Sequence, residues 1–210
     1  MIEALLNFDF MRYSLISGVL IGLIAPLIGA FIVVRRLSLI ADALSHVTLG
    51  GISFGMFVIT IIPAFTFINP MWFGILFAII GALLIENLRT SYSNYQEIAI
   101  PIIMSAGIAL SAIFISLADG FNQEIVGLLF GSISAVTESD LVTIIVIVII
   151  VITFILSFYK ELFILSFDEE YSKVIGIPKW IQFLFIIIVA MVISASMRVV
   201  GILLVSALIT

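Results

Sequence analysis

Asp42 and His46 are the two side chains whose types and spacing best suit metal chemistry, and His46 is the only histidine in the sequence. Residues four apart lie on the same face of an α-helix, one above the other. A carboxylate and an imidazole together suit Zn²⁺, Mn²⁺ or Fe²⁺. Because two ligands leave a coordination shell incomplete, such a site would also release its ion readily. The spacing therefore predicts a transient site for a divalent metal ion.

The composition places this pair in a membrane protein. Of the 210 residues, 64% are hydrophobic and only 10% are charged, whereas about a quarter of an ordinary globular chain is charged. Such a chain has too few polar residues to cover a soluble surface. The same numbers exclude a disordered chain, a nucleic-acid-binding protein and a secreted disulfide scaffold. The absence of cysteine excludes a thiolate metal site.

The hydrophobic pattern predicts an all-α fold, a polytopic transmembrane helical bundle that forms a single transmembrane domain over residues 1–210. Apolar runs long enough to span a bilayer lie at 13–34, 39–62, 71–88, 98–118, 140–158 and 180–197. A shorter run at 125–136 predicts a re-entrant or interfacial helix. A last run begins at Val199 and stops at Thr210. We therefore expect six to seven spans, the last of them truncated at the C-terminus.

Basic residues indicate how the bundle is oriented. Lys and Arg concentrate in short loops on the cytoplasmic side of membrane proteins. If the loop after the first span is cytoplasmic, only Arg12 and Arg198 lie outside. The basic residues on the inner side are then Arg35, Arg36, Arg89, Lys160, Lys173 and Lys179. The N-terminus is therefore predicted to lie outside the cell.

Depth in the bilayer favours a functional role for the Asp42–His46 pair. Counted from Arg36 at the inner interface, Asp42 lies ~9 Å and His46 ~15 Å inside, at about 1.5 Å per residue. His46 is then near the middle of a hydrocarbon layer of ~30 Å. The alternative is that Asp42 bonds to a neighbouring helix and His46 only packs. Since a carboxylate costs ~2.5–3.5 kcal/mol inside a bilayer on insertion scales, an ionisable residue there is functional by default.

Small-residue motifs and the other charges near span ends are interpreted as structural. Gly-x-x-x-Gly patterns begin at Gly18, Gly51 and Gly127, and each predicts a close helix contact. The charged residues interpreted as interface charges are Glu86, Glu97, Asp140 and Arg198.

The segment 159–180 predicts a short amphipathic helix at the inner membrane surface. Its apolar residues recur every three or four positions from Phe163, three acids follow at 168–170, and Gly176 and Pro178 form a helix stop. Membrane-surface helices usually present Lys and Arg instead. The acids therefore favour a protein partner over lipid, and a plain solvated loop is the alternative.

The chain carries no nucleotide-binding loop of its own. The phosphate-binding pattern needs a lysine directly after a glycine, and Lys160, Lys173 and Lys179 follow Tyr159, Ser172 and Pro178. One histidine also cannot form the zinc-protease pattern. The chain is therefore predicted not to be an enzyme, and energy for any driven transport must come from elsewhere.

Three segments resemble the membrane permeases of bacterial ABC transporters that import zinc or manganese. They are RRLSLIADALSH at 35–46, FDEEYSKVIGIP at 167–178 and RVVGILLVSAL at 198–208. The resemblance runs from about Phe10 to the end of the chain in the right order. Members of that family continue beyond the stretch that ends here, with at least one more helix.

The resemblance implies a location and a set of partners. The chain would lie in the bacterial plasma membrane, in contact with lipid, as a homodimer with a second permease. Cytoplasmic ATPase subunits and an extracellular metal-binding protein would complete the assembly, with no nucleic acid and no permanently bound cofactor. The only ion would be the transported divalent metal.

The resemblance also implies residue roles. Asp42 and His46 would contact the metal in the translocation pathway. The ATPase contacts would come from Phe167, Asp168, Glu169, Glu170 and Gly176. Zinc is favoured as the cargo, because the stretch 47–51 looks closer to zinc-type members than to manganese-type ones, which more often carry a proline there.

Other functions remain open at this stage. A manganese or iron permease of the same family would use the same two ligands. A permease of the related cobalamin or siderophore importers would leave Asp42 and His46 without a ligand role. An intramembrane metalloenzyme would need a third protein ligand and a general base. A membrane scaffold without transport function would tolerate Asp42→Leu.

Overall fold

The computed structural model describes residues 8–65, 67–92, 97–118, 123–132, 136–167 and 169–209. Within this part of the chain the regular structure is helical, with a short 3₁₀ turn at Pro63–Phe65 and no strand. The helices are α1 (Asp9–Val34), α2 (Leu39–Ile61), α3 (Met71–Ser91), α4 (Ala99–Leu117), α5 (Gln123–Phe130), α6 (Glu138–Ser157), α7 (Tyr159–Phe167), α8 (Glu169–Ile175), α9 (Lys179–Val200) and α10 (Ile202–Ile209).

Six of these helices are long and apolar enough to cross a membrane, namely α1, α2, α3, α4, α6 and α9. They coincide with the six apolar runs of the sequence, and their ends differ by a few residues. The prediction of an all-α, polytopic helical bundle is therefore confirmed, and the protein is a multi-pass membrane protein.

Helix α2 lies at the centre of the packing. It packs between α3 and α4, and it also contacts α9 and α10. Glycines let α3 approach α2 closely, since a Cβ added to Gly51 would lie 2.6 Å from the carbonyl oxygen of Phe73. Helix α9 packs against α3, α2, α1 and α6, so it joins the α2–α4 group to the α1–α6 pair.

Both short runs of the sequence fold differently from the expectation. Helix α5 starts before the predicted run 125–136 and ends at Phe130, where Gly131 has a φ of 79°. The last run does not start a new span at Val199, because α9 continues to Val200. Gly201, with a φ of 82°, then packs directly on Gly131, and the eight-residue α10 turns back onto α1 and α2.

The segment 159–180 forms two helices, α7 and α8, rather than one amphipathic helix. The helix stop is at the predicted place. Gly176 has a φ of 82°, and the N–H of Ile177 donates to the carbonyl oxygen of Ser172 at 3.0 Å, which is a Schellman motif. Pro178 then starts α9 with extended backbone. The glycine stop therefore separates α8 from the spanning helix α9.

Candidate functional site

The turn between α1 and α2 fixes where Asp42 enters the bundle. Arg36 has a φ of 56°, and the N–H of Leu37 donates to the carbonyl oxygen of Ile32 at 2.9 Å. This closes α1 and lets α2 begin at Leu39, so Asp42 lies in its first turn. A carboxylate at that position also interacts favourably with the helix dipole.

Asp42 and His46 lie on one face of α2. The Nε2 atom of His46 is 3.7 Å from the Oδ1 atom of Asp42. The side chain of Asp42 is 37% exposed and that of His46 is 27% exposed. Ala43, Leu44 and Ser45, which lie between them in the sequence, are buried. The pair is therefore open to a ligand, and neither side chain is enclosed in the core of this chain.

Helix α4 is packed directly beside the pair. A Cβ added to Gly107 would lie 2.8 Å from the backbone nitrogen of Val47 and 3.1 Å from the carbonyl carbon of His46. Only a glycine allows this approach, so Gly107 fixes α4 against α2 at the level of the histidine. Among the six candidate spans α4 is also the least buried.

The pair offers two side chains of metal-binding type, and no third joins them within the described chain. Among the described residues, no group of three or more His, Cys, Asp or Glu side chains could hold a metal ion. Two ligands suit brief binding of a cation, with the rest of its shell supplied by water or by another molecule. Within the described residues, this leaves the pair without the third protein ligand that an intramembrane metalloenzyme would need.

Two charges interpreted as interface charges are in fact buried and paired. Glu86 is 1% exposed and accepts a hydrogen bond from Nε2 of Gln182, which joins α3 to α9. Asp140 is 5% exposed and lies 2.7 Å from Nη1 of Arg198, which joins α6 to α9. The interface interpretation was wrong for these residues, because a carboxylate inside the bundle needs a donor on a neighbouring helix.

Sequence reasoning also missed Gln182 altogether. The one signal available was an amide in the first turn of an otherwise apolar run, and nothing in that run identified its partner 96 positions away.

Several apolar and aromatic side chains of the segment 159–180 are exposed. Phe167 is 66% exposed and Val174 83% exposed, and Tyr171 and Ile175 are also exposed. Of the residues predicted to contact an ATPase, Asp168 lies outside the described residues. Glu169 and Glu170 lie in α8, and their side chains are also outside the description. A Cβ added to Gly176 would have no neighbouring atom of this chain within 4 Å, so the space beside this residue is open.

Comparison with known proteins gives a consistent picture. Residues 7–210 match the model of the ABC 3 transport family. The chain is 33% identical over 99% of its length to the manganese transport system membrane protein MntC of Listeria monocytogenes, covering 71% of that protein. It is also 33% identical over its whole length to the manganese import system permease protein ScaB of Streptococcus gordonii, covering 73% of it.

The fold is also found in a solved structure. PsaBC from Streptococcus pneumoniae, solved in complex with a Fab, superposes with a TM-score of 0.80 at 29% identity, covering 99% of this chain and 72% of that chain. Among curated relatives, the chain spans from 64% to 74% of the length. These relatives are membrane components, which agrees with a multi-pass location in the cell membrane and with a chain that is not an enzyme. The preference for zinc is not confirmed, because the named relatives are manganese proteins.

Proposed function

The chain belongs to the ABC 3 transport family, and from this premise we propose that it is the membrane permease subunit of an importer of divalent metal ions. The observation that carries the proposal is the Asp42–His46 pair, two metal-type ligands 3.7 Å apart and open to a ligand on a central spanning helix. An ionisable pair of this kind inside a bilayer is energetically costly, so its presence there indicates a function.

Manganese is the cargo that the relatives favour. MntC and ScaB are both named for manganese, and a carboxylate with an imidazole suits Mn²⁺ as well as Zn²⁺ and Fe²⁺. Zinc is the alternative, supported by the absence of proline from residues 47–51. Since the ligand pair serves both ions, selectivity must depend on the geometry and number of the remaining ligands.

A second copy of the chain would complete the pathway. Asp42 and His46 provide two ligands, and they open outward from this chain, beside its least buried span. Small side chains line the face of α4 that points away from α2, namely Ser105, Ala109, Ala112 and Ser116. Small residues let membrane helices approach closely. A homodimer would bring two ligand pairs to one pathway.

The cytoplasmic segment would receive the ATPase subunits. Phe167 and Val174 expose apolar side chains in this segment, and residues 168–170 add acidic charge. An uncovered apolar face with acidic neighbours suits a protein partner. Phe167, Asp168, Glu169, Glu170 and Gly176 are the proposed contacts, and an extracellular metal-binding protein would deliver the ion from the other side.

Uptake of radioactive manganese and zinc in cells carrying the full-length protein tests the proposal. We expect His46→Ala to abolish uptake of the cargo without preventing membrane insertion, because one of the two ligands is lost. Ser45→Ala is the matched control. Its hydroxyl is buried and bonds to the carbonyl oxygen of Ala41 in its own helix at 2.8 Å, so uptake should be unchanged.

Measuring the uptake of both ions distinguishes the possible results. Loss of manganese uptake alone identifies both the cargo and the site, and loss of zinc uptake alone identifies zinc instead. Normal uptake of both ions by the His46→Ala variant would contradict the metal-site assignment.

A further inference from the structure

Glu86 is a buried carboxylate that metal binding does not use. It lies in the spanning helix α3, is 1% exposed, and accepts a hydrogen bond from Nε2 of Gln182 in α9. Nη1 of Arg89 lies 3.4 Å from its other oxygen. Replacing a whole buried ion pair by well-packed apolar residues is often neutral or stabilising, so packing alone does not account for a buried polar cluster at this position.

Gln182 lies close to the cytoplasmic segment. Helix α9 begins at Lys179, directly after the Gly176 turn and Pro178, so Gln182 lies in the first full turn beyond the segment. If a displacement of α8 moves the turn and the start of α9, the amide of Gln182 therefore moves with them. Its hydrogen bond to Glu86 joins that movement to α3.

Helix α3 in turn touches α2 beside the metal ligands. A Cβ added to Gly81 would lie 2.9 Å from Cγ1 of Val47, the residue that follows His46. Glu86 lies five positions after Gly81 in the same helix. Close-packed helices move as rigid bodies rather than deforming smoothly. A shift of α3 at Glu86 is therefore felt by α2 at the level of His46.

We propose that the Glu86–Gln182 hydrogen bond is the positioning contact that transmits movement of the cytoplasmic segment to the helix that carries the metal ligands. Gln182 and Glu86 act through α3 and α2 and do not touch the metal. The inference rests on the proposed function, since it assigns a route for coupling within the same permease.

The opposite end of α9 provides a matched control. Arg198, 13% exposed, joins the last turn of α9 to Asp140 of α6 at 2.7 Å. This contact also ties α9 to a neighbouring helix through a largely buried polar pair. It lies at the end of α9 remote from the cytoplasmic segment, so its loss should weaken the bundle without interrupting the proposed route.

The experiment measures coupling rather than activity alone. The full-length protein is reconstituted in liposomes with its ATPase and binding protein, and Mn²⁺ imported is divided by phosphate released. We expect Gln182→Leu to lower this ratio by at least about five-fold, the lower end of typical coupling effects, while hydrolysis continues. Arg198→Gln should leave the ratio unchanged. The exchange of Glu86→Gln with Gln182→Glu keeps a carboxylate–amide bond and should restore most of the ratio.

Each outcome decides between the interpretations. An unchanged ratio in Gln182→Leu, or an equal fall in Arg198→Gln, would overturn the inference, because the contact would then be only structural. If Gln182→Leu does not assemble, Gln182→Met takes its place, because it removes the donor amide and keeps the length of the side chain, and an unchanged ratio there overturns the inference equally. Failure of the wild-type complex to import Mn²⁺ or Zn²⁺ would instead contradict the proposed function.

Discussion

Ionisable side chains inside this bundle differ in whether their charge is already compensated. Glu86 and Asp140 are buried and each has a donor on another helix, as a carboxylate removed from water requires. Asp42 and His46 are partly exposed, and among the residues that the structure describes their ionic partner is only each other, at 3.7 Å. The first kind ties helices together, whereas the second kind is left available for a cation.

The Asp140–Arg198 pair should be among the most sensitive points of the bundle. Asp140 accepts from Arg198 and also from the backbone N–H of Thr137, with which it forms the capping box that starts α6. Asp140→Ala leaves Arg198 without this partner, so we expect a loss of about 3–5 kcal/mol, as for other broken buried pairs. Thermal unfolding of the purified protein in detergent measures it.

Glu138→Gln is the control for this change, because Glu138 is also in the first turn of α6 but is exposed. It should shift the unfolding temperature only slightly. Equal shifts for the two variants would mean that the buried pair contributes nothing beyond an ordinary charge at a helix N-terminus.

The residue scale shows which contacts a sequence can predict. Asp42 and His46 are four positions apart, so the helix period alone places them on one face. Glu86 and Gln182 are 96 positions apart, and Asp140 and Arg198 are 58 apart. Their pairing depends on how α9 lies against α3 and α6, which no local period encodes. Charges near span ends were therefore interpreted as interface charges.

At the scale of elements, identical motifs have different surroundings. Gly18-x-x-x-Gly22 and Gly51-x-x-x-Gly55 have the same spacing. A Cβ at Gly18 or Gly22 would meet nothing within 4 Å, whereas one at Gly55 would lie 2.7 Å from the ring of Phe73. The pattern shows where close packing is possible, and the fold decides where it occurs.

This difference predicts opposite effects for two similar substitutions. Gly51→Ala places a Cβ 2.6 Å from a backbone oxygen in α3, so the helices must separate, and we expect a loss of about 1–3 kcal/mol, typical of overpacking. Gly22→Ala enters open space within a helix, so stability should be unchanged or rise by up to about 1 kcal/mol. Thermal unfolding of both variants in the same detergent compares them, and a stable Gly51→Ala variant would contradict the close packing of α2 and α3.

Helix ends were predictable where polar residues or a glycine–proline stop mark them. All six spans and the stop at Gly176 were found from such signals. The ends of α5 and α9 were not, because Gly131 and Gly201 interrupt apolar runs through positive φ angles and mutual packing. Hydropathy does not distinguish a glycine that continues a helix from one that ends it.

In the whole molecule, the two metal-type side chains lie on a helix that is central in the packing but has one accessible stripe of residues along it. Helix α2 packs against α3, α4, α9 and α10, and Leu39, Asp42 and His46 remain accessible on it. A central helix with exposed polar side chains is unusual in a monomer that is surrounded by lipid, since polar groups there have no water to bind. A second copy facing this stripe would enclose the ligands.

These 210 residues contain no cysteine, so a single thiol introduced among them can test this arrangement. Leu39→Cys introduces one thiol on the stripe, one turn from Asp42, and Ile149→Cys introduces one on α6, whose residue is equally exposed at 59%. In membranes containing the full-length protein, a short bifunctional thiol reagent should join two copies of the Leu39→Cys variant, because the stripes face each other in the proposed dimer. Ile149→Cys should remain monomeric on a denaturing gel, since that face of α6 would meet lipid in the proposed dimer. Equal cross-linking of both variants, or none at Leu39→Cys, would contradict a pathway shared between two copies.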